Sequence, residues 1–323
     1  MTRASEPKIA PLPDLDALAE VAARFEAAAS EEPLFKSADP SEIIRHVEGK
    51  RVILRGTLGV RPAVFRVFLR DPEACQRDWN ELQRVWPYMN AGDAQVCTPL
   101  ACSIKAGIVV LADIPGTPLL ELLYDSAPNK RSKWLKPAAQ WLRTYTAPTE
   151  THAKVETDPW IARAERGLEA QAFNRLRKLE QSILDEIKRL ATAIPSKEWR
   201  KAISHGDFHP NNLIADGARL TGIDCGGSLP SPIYKDIARF LMHMGRRGMI
   251  PSGKMRLGVD AEGIDAFAET FAMGETERKM ILPFFLGVEA LMRAETRDLA
   301  ASRIRRAKDM SEALLEDLKA IET

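Results

Sequence analysis

The chain has 323 residues, is 45% hydrophobic and carries 46 basic against 45 acidic side chains, for a formal net charge of +1. That length can bury a substantial core and exceeds the usual size of one domain, so two lobes are expected. The balanced charge excludes a global field that would draw nucleic acid or an anionic membrane, and no run of 18 apolar residues offers a membrane span.

Residues 1–13, with Pro7, Pro11 and Pro13, read as an arm leading to a helix whose apolar face is Ala17, Leu18, Val21, Ala22 and Phe25. Asp39-Pro40-Ser41-Glu42 is expected to open a second short helix. From Arg51 the pattern turns to strands: RVILRGTLGV, a turn at Arg61-Pro62, then AVFRVFL. DPEACQRDWNELQRVW, 71–86, reads as a helix, and AGIVVLADIPGTPL, 106–119, as a buried strand running into a Pro-Gly connection. Helices follow over 133–145 and, with Phe173, Leu176, Leu179, Ile183, Ile187 and Leu190 as its stripe, over 161–190. Intradomain packing accounts for that stripe better than a coiled coil, because Gly167 weakens its start. Further helices are expected over 237–244, 261–273, 282–299 and 302–321.

The segment Ser204 to Asn212, SHGDFHPNN, is followed by a turn at Asp216-Gly217 and the short apolar run that ends on Asp224. Gly206 and Pro210 disfavour regular structure, so a loop is expected around Asp207 and Asn212, and then a β-hairpin over 212–215 and 219–223. Magnesium takes hard oxygen ligands and keeps several waters, and Asn212 with Asp224 supplies a suitable pair. Singly, Asp207, Asn212 and Asp224 each read better as turn, cap or loop residues, by roughly two to one. Their joint order is what points to phosphoryl transfer. His205 and His209 are read as loop supports, and His46, His152 and His243 as surface or helix residues. Cys75, Cys97, Cys102 and Cys225 form no CxxC pair or common zinc spacing, so free thiols in a reducing compartment are expected. With no apolar core of signal-peptide length in MTRASEPKIAPLPDLDALAE, the expected location is the cytoplasm.

HGDFHPNN, then Gly222-Ile223-Asp224, then Asp236-Ile237-Ala238 closely resembles the catalytic region of the aminoglycoside phosphotransferase and choline kinase superfamily. All three elements fall in order within the 32 residues from His205 to Asp236. The resemblance implies an α+β, protein-kinase-like fold of two lobes. A small N-terminal antiparallel sheet lobe with helices, preceded by a helical arm, is expected over 1–112, and a larger, mainly helical C-terminal lobe over 113–323. It implies Asp207 as catalytic aspartate, Asn212 and Asp224 as magnesium ligands, and Asp236 as an acid bracing the catalytic loop or capping its own helix.

In that family the first hairpin covers the nucleotide phosphates, so Gly56 and Gly59 are candidates for close backbone approach. Arg66 stands at the basic position where protein kinases carry Lys, and Asp78 or Glu81 is its expected helix acid, with Asp78 at the better spacing. Leu111 to Asp113 occupy the hinge position, where Leu111 and Asp113 offer backbone groups to adenine. ATP and magnesium are the implied cofactors.

The resemblance implies transfer of the γ-phosphate of ATP to a hydroxyl of a small molecule: a sugar, amino alcohol, amino acid or aminoglycoside-like acceptor. No nucleic-acid or membrane partner is expected, and the sequence is silent on oligomeric state. A catalytically impaired nucleotide-binding regulatory protein of the same fold is the alternative, favoured by Arg66. A protein kinase ranks third, since eleven residues between Asp224 and Asp236 are too few for a peptide-docking segment. For the acceptor, Trp160, Trp199, Phe284, Phe285, Glu289 and Glu295 stand against Arg246, Arg247, Arg293 and Arg297, and the signs are mixed.

Overall fold

The computed structural model describes residues 15–195 and 197–322, and the Pro-rich arm expected over 1–13 lies outside them. The chain forms two compact units: one of residues 15–91, 96–115 and 223–227, the other of the remainder. Its α+β make-up, an N-terminal antiparallel sheet and a mainly helical C-terminal part, is that of a protein-kinase-like fold.

The first unit is built on a five-stranded antiparallel sheet in the order β1 (Ala38–Val47), β2 (Arg51–Leu58), β3 (Arg61–Phe68), then the strands Ile108–Ala112 and Pro99–Ser103. Side chains alternate faces along a strand. Ala63, Phe65 and Val67 of β3 therefore join Val52, Leu54, Ile108 and Val110 in one apolar layer, against which Val21 and Ala28 of the helix Leu15–Glu31 pack. Phe25 meets Phe65 edge to face at 5.3 Å. The opposite layer holds Phe68, Val109 and Leu111 with Cys75 and Leu82 of the helix Pro72–Val85, which Asp71 caps by accepting the Ala74 N–H at 2.9 Å.

Two expectations fail here. The segment from Asp39 is a strand rather than a helix, because Ile43, His46 and Val47 find partners in Leu54, Val52 and Arg51. Tertiary pairing overrides the Asp-Pro-Ser start signal. Arg61 and Pro62 lie inside β3, opposite Leu58 and Thr57. The turn is Gly59-Val60, with Gly59 at φ +61.

The second unit is helical around three small sheets. Leu213–Asp216 and Arg219–Gly222 form the expected hairpin, paired in register from Leu213↔Gly222 to Asp216↔Arg219. Glu198–Ile203 lies between Thr151–Lys154 and Pro230–Pro232 as the central strand of a three-stranded sheet that the sequence pattern did not reveal. The helices Leu135–Thr146, Tyr234–Gly245, Ala261–Thr270 and Leu282–Leu291 supply the core, and Asp158–Glu169, Asn174–Ala193 and Ala301–Lys319 are its other long helices. The stripe expected over 161–190 is two helices, separated at 170–173 where the Ala170 N–H turns back onto the carbonyls of Arg166 and Gly167. The helix expected over 282–299 ends at Leu291. Among the described residues no helix is long and apolar enough to cross a membrane, and the four cysteines are free.

Candidate active site

In the first unit, strand alternation places Arg66 opposite Phe65 and Val67, on the face that meets the helix Pro72–Val85. Asp78, three residues after Cys75 and four before Leu82, is on the inward stripe of that helix. The two meet: Arg66 Nη1 donates to both Asp78 oxygens at 2.8 Å, with side chains 6% and 2% exposed. Glu81, the other candidate, pairs with Arg84 at 2.6 Å.

Asp224 completes this cluster. Arg66 Nη2 donates to its Oδ1, and Arg51 donates through Nη1 at 3.0 Å and Nη2 at 3.2 Å. Asp224 adopts φ +62, a left-handed backbone that Asp tolerates better than most side chains and that marks functional turns. Burial works against the Arg66 charge, but Asp78 and Asp224 outweigh it and hold the guanidinium protonated. Two residues on, a Cβ on Gly226 would stand 2.6 Å from Asp78 Oδ1, so close packing requires glycine there.

Gly56 lies mid-strand opposite Pro40, and a Cβ there would overlap the Asp39 carbonyl. The structure thus supplies a packing reason for that glycine. Leu111 is buried and paired with Val64 and Pro99. The Asp113 N–H donates to Pro62 O at 3.0 Å, and its carboxylate accepts from Arg55 Nε at 2.9 Å.

In the second unit, the loop after Glu198–Ile203 is held from below by Phe208, fully buried between Trp141 at 5.5 Å and Phe240 at 5.1 Å. Asp236 accepts the His205 N–H at 2.6 Å and the Gly206 N–H at 3.3 Å through one oxygen. It braces the loop; its own helix has no side-chain cap. Lys235 Nζ donates to Gly206 O at 2.6 Å, and Asn212 Nδ2 to Asp207 O at 2.9 Å, which leaves the Asn212 oxygen as the group's remaining acceptor.

The loop presents Asp207 with its side chain 46% exposed, and two arginines and a histidine face it: Arg239 Nε at 2.8 Å, Arg293 Nη2 at 3.3 Å and His209 Nε2 at 3.4 Å. Partial burial opposes ionisation of Asp207, but His209 and Arg239 prevail and hold the carboxyl well below the usual carboxylate range. His209 therefore touches the candidate catalytic group directly, where a loop support was expected. Its ring stacks on His243 at 4.4 Å, and His243 is buried.

A family model described as the phosphotransferase enzyme family matches residues 42–268, more than half of the chain. The chain belongs to that family. It is accordingly an enzyme that transfers phosphate. Solved structures similar to this phosphotransferase include a thermostable mutant of the aminoglycoside phosphotransferase APH(4)-Ia in complex with ADP and hygromycin B. That match has 14% identity and a TM-score of 0.55, covering 91% of this chain and 97% of the other. Choline kinase LicA from Streptococcus pneumoniae matches at 13% identity and TM-score 0.52, covering 94% and 100%. The amicoumacin kinase hAmiN, in complex with AMP-PNP and calcium, matches at 12% and 0.52, covering 92% and 96%. At these identities the likeness is one of fold. No match was found among curated protein sequences.

Sequence reasoning missed two members of these clusters, Arg51, whose partner is 173 residues away, and Arg239, and it named Arg293 only among acceptor-lobe residues of mixed sign. Arg239 carried a signal, since it lies three residues after Asp236 on the same helix. Arg51 carried none, because only tertiary structure selects it from the 46 basic residues.

Proposed function

We propose that this phosphotransferase moves the γ-phosphate of ATP to a hydroxyl of a small molecule. The observation that supports it most is the braced loop that presents a half-exposed, ionised Asp207. In this reading Asp207 accepts a hydrogen bond from the acceptor hydroxyl, orients it, and takes its proton as the new bond forms. Its low basicity suits a late proton transfer, in which orientation dominates. Arg66, kept in place by Asp78, neutralises phosphate charge, and Gly56, Leu111 and Asp113 contribute backbone contacts to the nucleotide.

Among the described residues no three His, Cys, Asp or Glu side chains form a self-sufficient metal cluster. Asn212 in the second unit and Asp224 in the first each carry a hard oxygen donor, the type taken by an ion that keeps phosphate and water ligands. Each is proposed as a magnesium ligand, and the ion when bound would supply charge neutralisation on the phosphates. A catalytically impaired nucleotide-binding protein is the competing reading, favoured by one observation: both Asp224 oxygens are engaged by arginines.

An ADP-release screen with ATP and magnesium against sugars, amino alcohols, amino acids and aminoglycosides tests the two. Acceptor-dependent ADP release that disappears with EDTA is expected; nucleotide binding without turnover for any acceptor contradicts the proposal.

A further inference from the structure

The surroundings of Asp207 in the second unit are more basic than a cationic acceptor would tolerate. Arg239 and Arg293 both face Asp207 and share Glu289, whose Oε1 lies 3.5 Å from Arg239 and 3.7 Å from Arg293. Those two cations exhaust the two acids. From Arg239 the helix Tyr234–Gly245 and its exit place His243 and Arg247 at successive four-residue steps, hence on one face. Arg247 Nη1 donates to His243 O at 2.8 Å, and the Arg247 carbonyl accepts from Arg306 Nη1 at 3.3 Å, which brings the start of the helix Ala301–Lys319 and Arg303 alongside.

Neither Arg247 nor Arg303 forms an ion pair among the described residues, although both are partly buried. Glu295, the nearby acid, is committed to Arg246. Burial, then Arg303, pushes the Arg247 guanidinium down to about 10, against the opposing pull of Tyr124. Burial with Arg246 and Arg306 likewise lowers Arg303, against Tyr124 and Glu295. In the same cluster, His243 is 5% exposed and its Nε2 has no hydrogen-bond partner, and His209 Nδ1 is likewise buried and unpartnered. Half-buried guanidinium groups with no counter-charge are costly unless an anion joins them.

We propose that the phosphate acceptor carries an anionic group, a carboxylate or a phosphate, held by Arg247 and Arg303 while its hydroxyl meets Asp207. This rests on the kinase reading above and names its substrate class. The two helical turns from Arg239 to Arg247 cover about 12 Å, shortened by the reach of the arginine side chains, which is the span of a hydroxy acid or sugar phosphate of several carbons. A quaternary ammonium or polyamine acceptor would instead add positive charge to an uncompensated cluster.

Calorimetric titration of the full chain, with ADP and magnesium saturating, compares D-gluconate and glycerol 3-phosphate with glycerol and choline. Saturable binding of one or both anions is expected, and the tighter of the two identifies the head group. Arg247→Ala and Arg303→Ala should each weaken the anion by roughly tenfold or more, the scale of a charge-assisted hydrogen bond, with partial recovery in Arg247→Lys. ADP titration of each variant confirms its fold. Failure of both anions to bind, equal binding of choline or glycerol, or full affinity in both alanine variants overturns the proposal. Arginine-dependent anion binding without phosphate transfer from ATP to any acceptor would instead sink the kinase reading and leave the anion site standing.

Discussion

Arg66 and Asp78 form a buried ion pair in which one guanidinium nitrogen donates to both carboxylate oxygens at 2.8 Å. Removing one member strands the other charge out of water. Asp78→Ala should therefore cost about 3–5 kcal/mol, read as a fall in the denaturant midpoint. The pair replacement Arg66→Met with Asp78→Leu should recover much of that stability without recovering turnover. Recovery of both would assign the pair a structural role alone.

Gly226→Ala tests the same pair from the other side. The new methyl group would stand 2.6 Å from Asp78 Oδ1 and 3.2 Å from its Cγ, and Asp78 is tied to Arg66 and has little freedom to yield. A loss of about 1–3 kcal/mol is expected, as for an overpacked core site, together with weaker ADP binding by titration. Wild-type stability and ADP affinity in this variant would show that the segment yields easily.

Asp207→Asn preserves shape and removes the carboxylate. Turnover should fall at least about a hundredfold, the scale of a general-base contribution. Because the folded-state value is depressed, Asp207 is ionised throughout neutral pH. The stability that its cation contacts provide is present above the unfolded value, near 3.9, and is lost as pH falls through the still lower folded value. A kcat profile between pH 5 and 8 should thus show no limb that Asp207→Asn removes.

Glu180 provides a pH prediction of the opposite sign. It is 3% exposed and accepts from Gln171 Nε2 at 2.8 Å, while Glu295 accepts from the same nitrogen at 3.3 Å. Burial, with Glu295 adding to it against Gln171 and Arg246, pushes the Glu180 carboxyl up to about 7. Its favourable contribution is fully present below the unfolded value of about 4.3 and is lost as pH rises through 7. Glu180→Gln should raise Tm by a few degrees at pH 8 and have little effect at pH 4.5. An equal effect at both pH values would contradict a titrating Glu180.

How much of this was legible beforehand depended on whether the signal was local. The loop at Asp207 and the hairpin after it lie within a few dozen residues and followed from turn chemistry, and the brace at Asp236 followed from the family resemblance that the order of motifs carries. The family resemblance preferred Asp78 to Glu81, and the structure brings Asp78 to Arg66. The strand at Ala38–Val47 was misread because its β-character comes from pairing with β2 rather than from its own residues. The break at 170–173 was hidden because the apolar stripe runs across it. The partners of Arg51, and which of the named Arg247 and Arg293 lie by Asp207 or by Arg303, depend on contacts between distant segments, which no window of sequence contains.

The most direct test of the central claim is ADP formation from ATP in the presence of an acceptor panel, measured for the wild type with magnesium, with EDTA, and for Asp207→Asn and Asp224→Asn. Acceptor-dependent turnover that EDTA abolishes and that each substitution lowers at least about a hundredfold is the predicted result. Turnover that persists without magnesium, or that survives in Asp207→Asn, would contradict it.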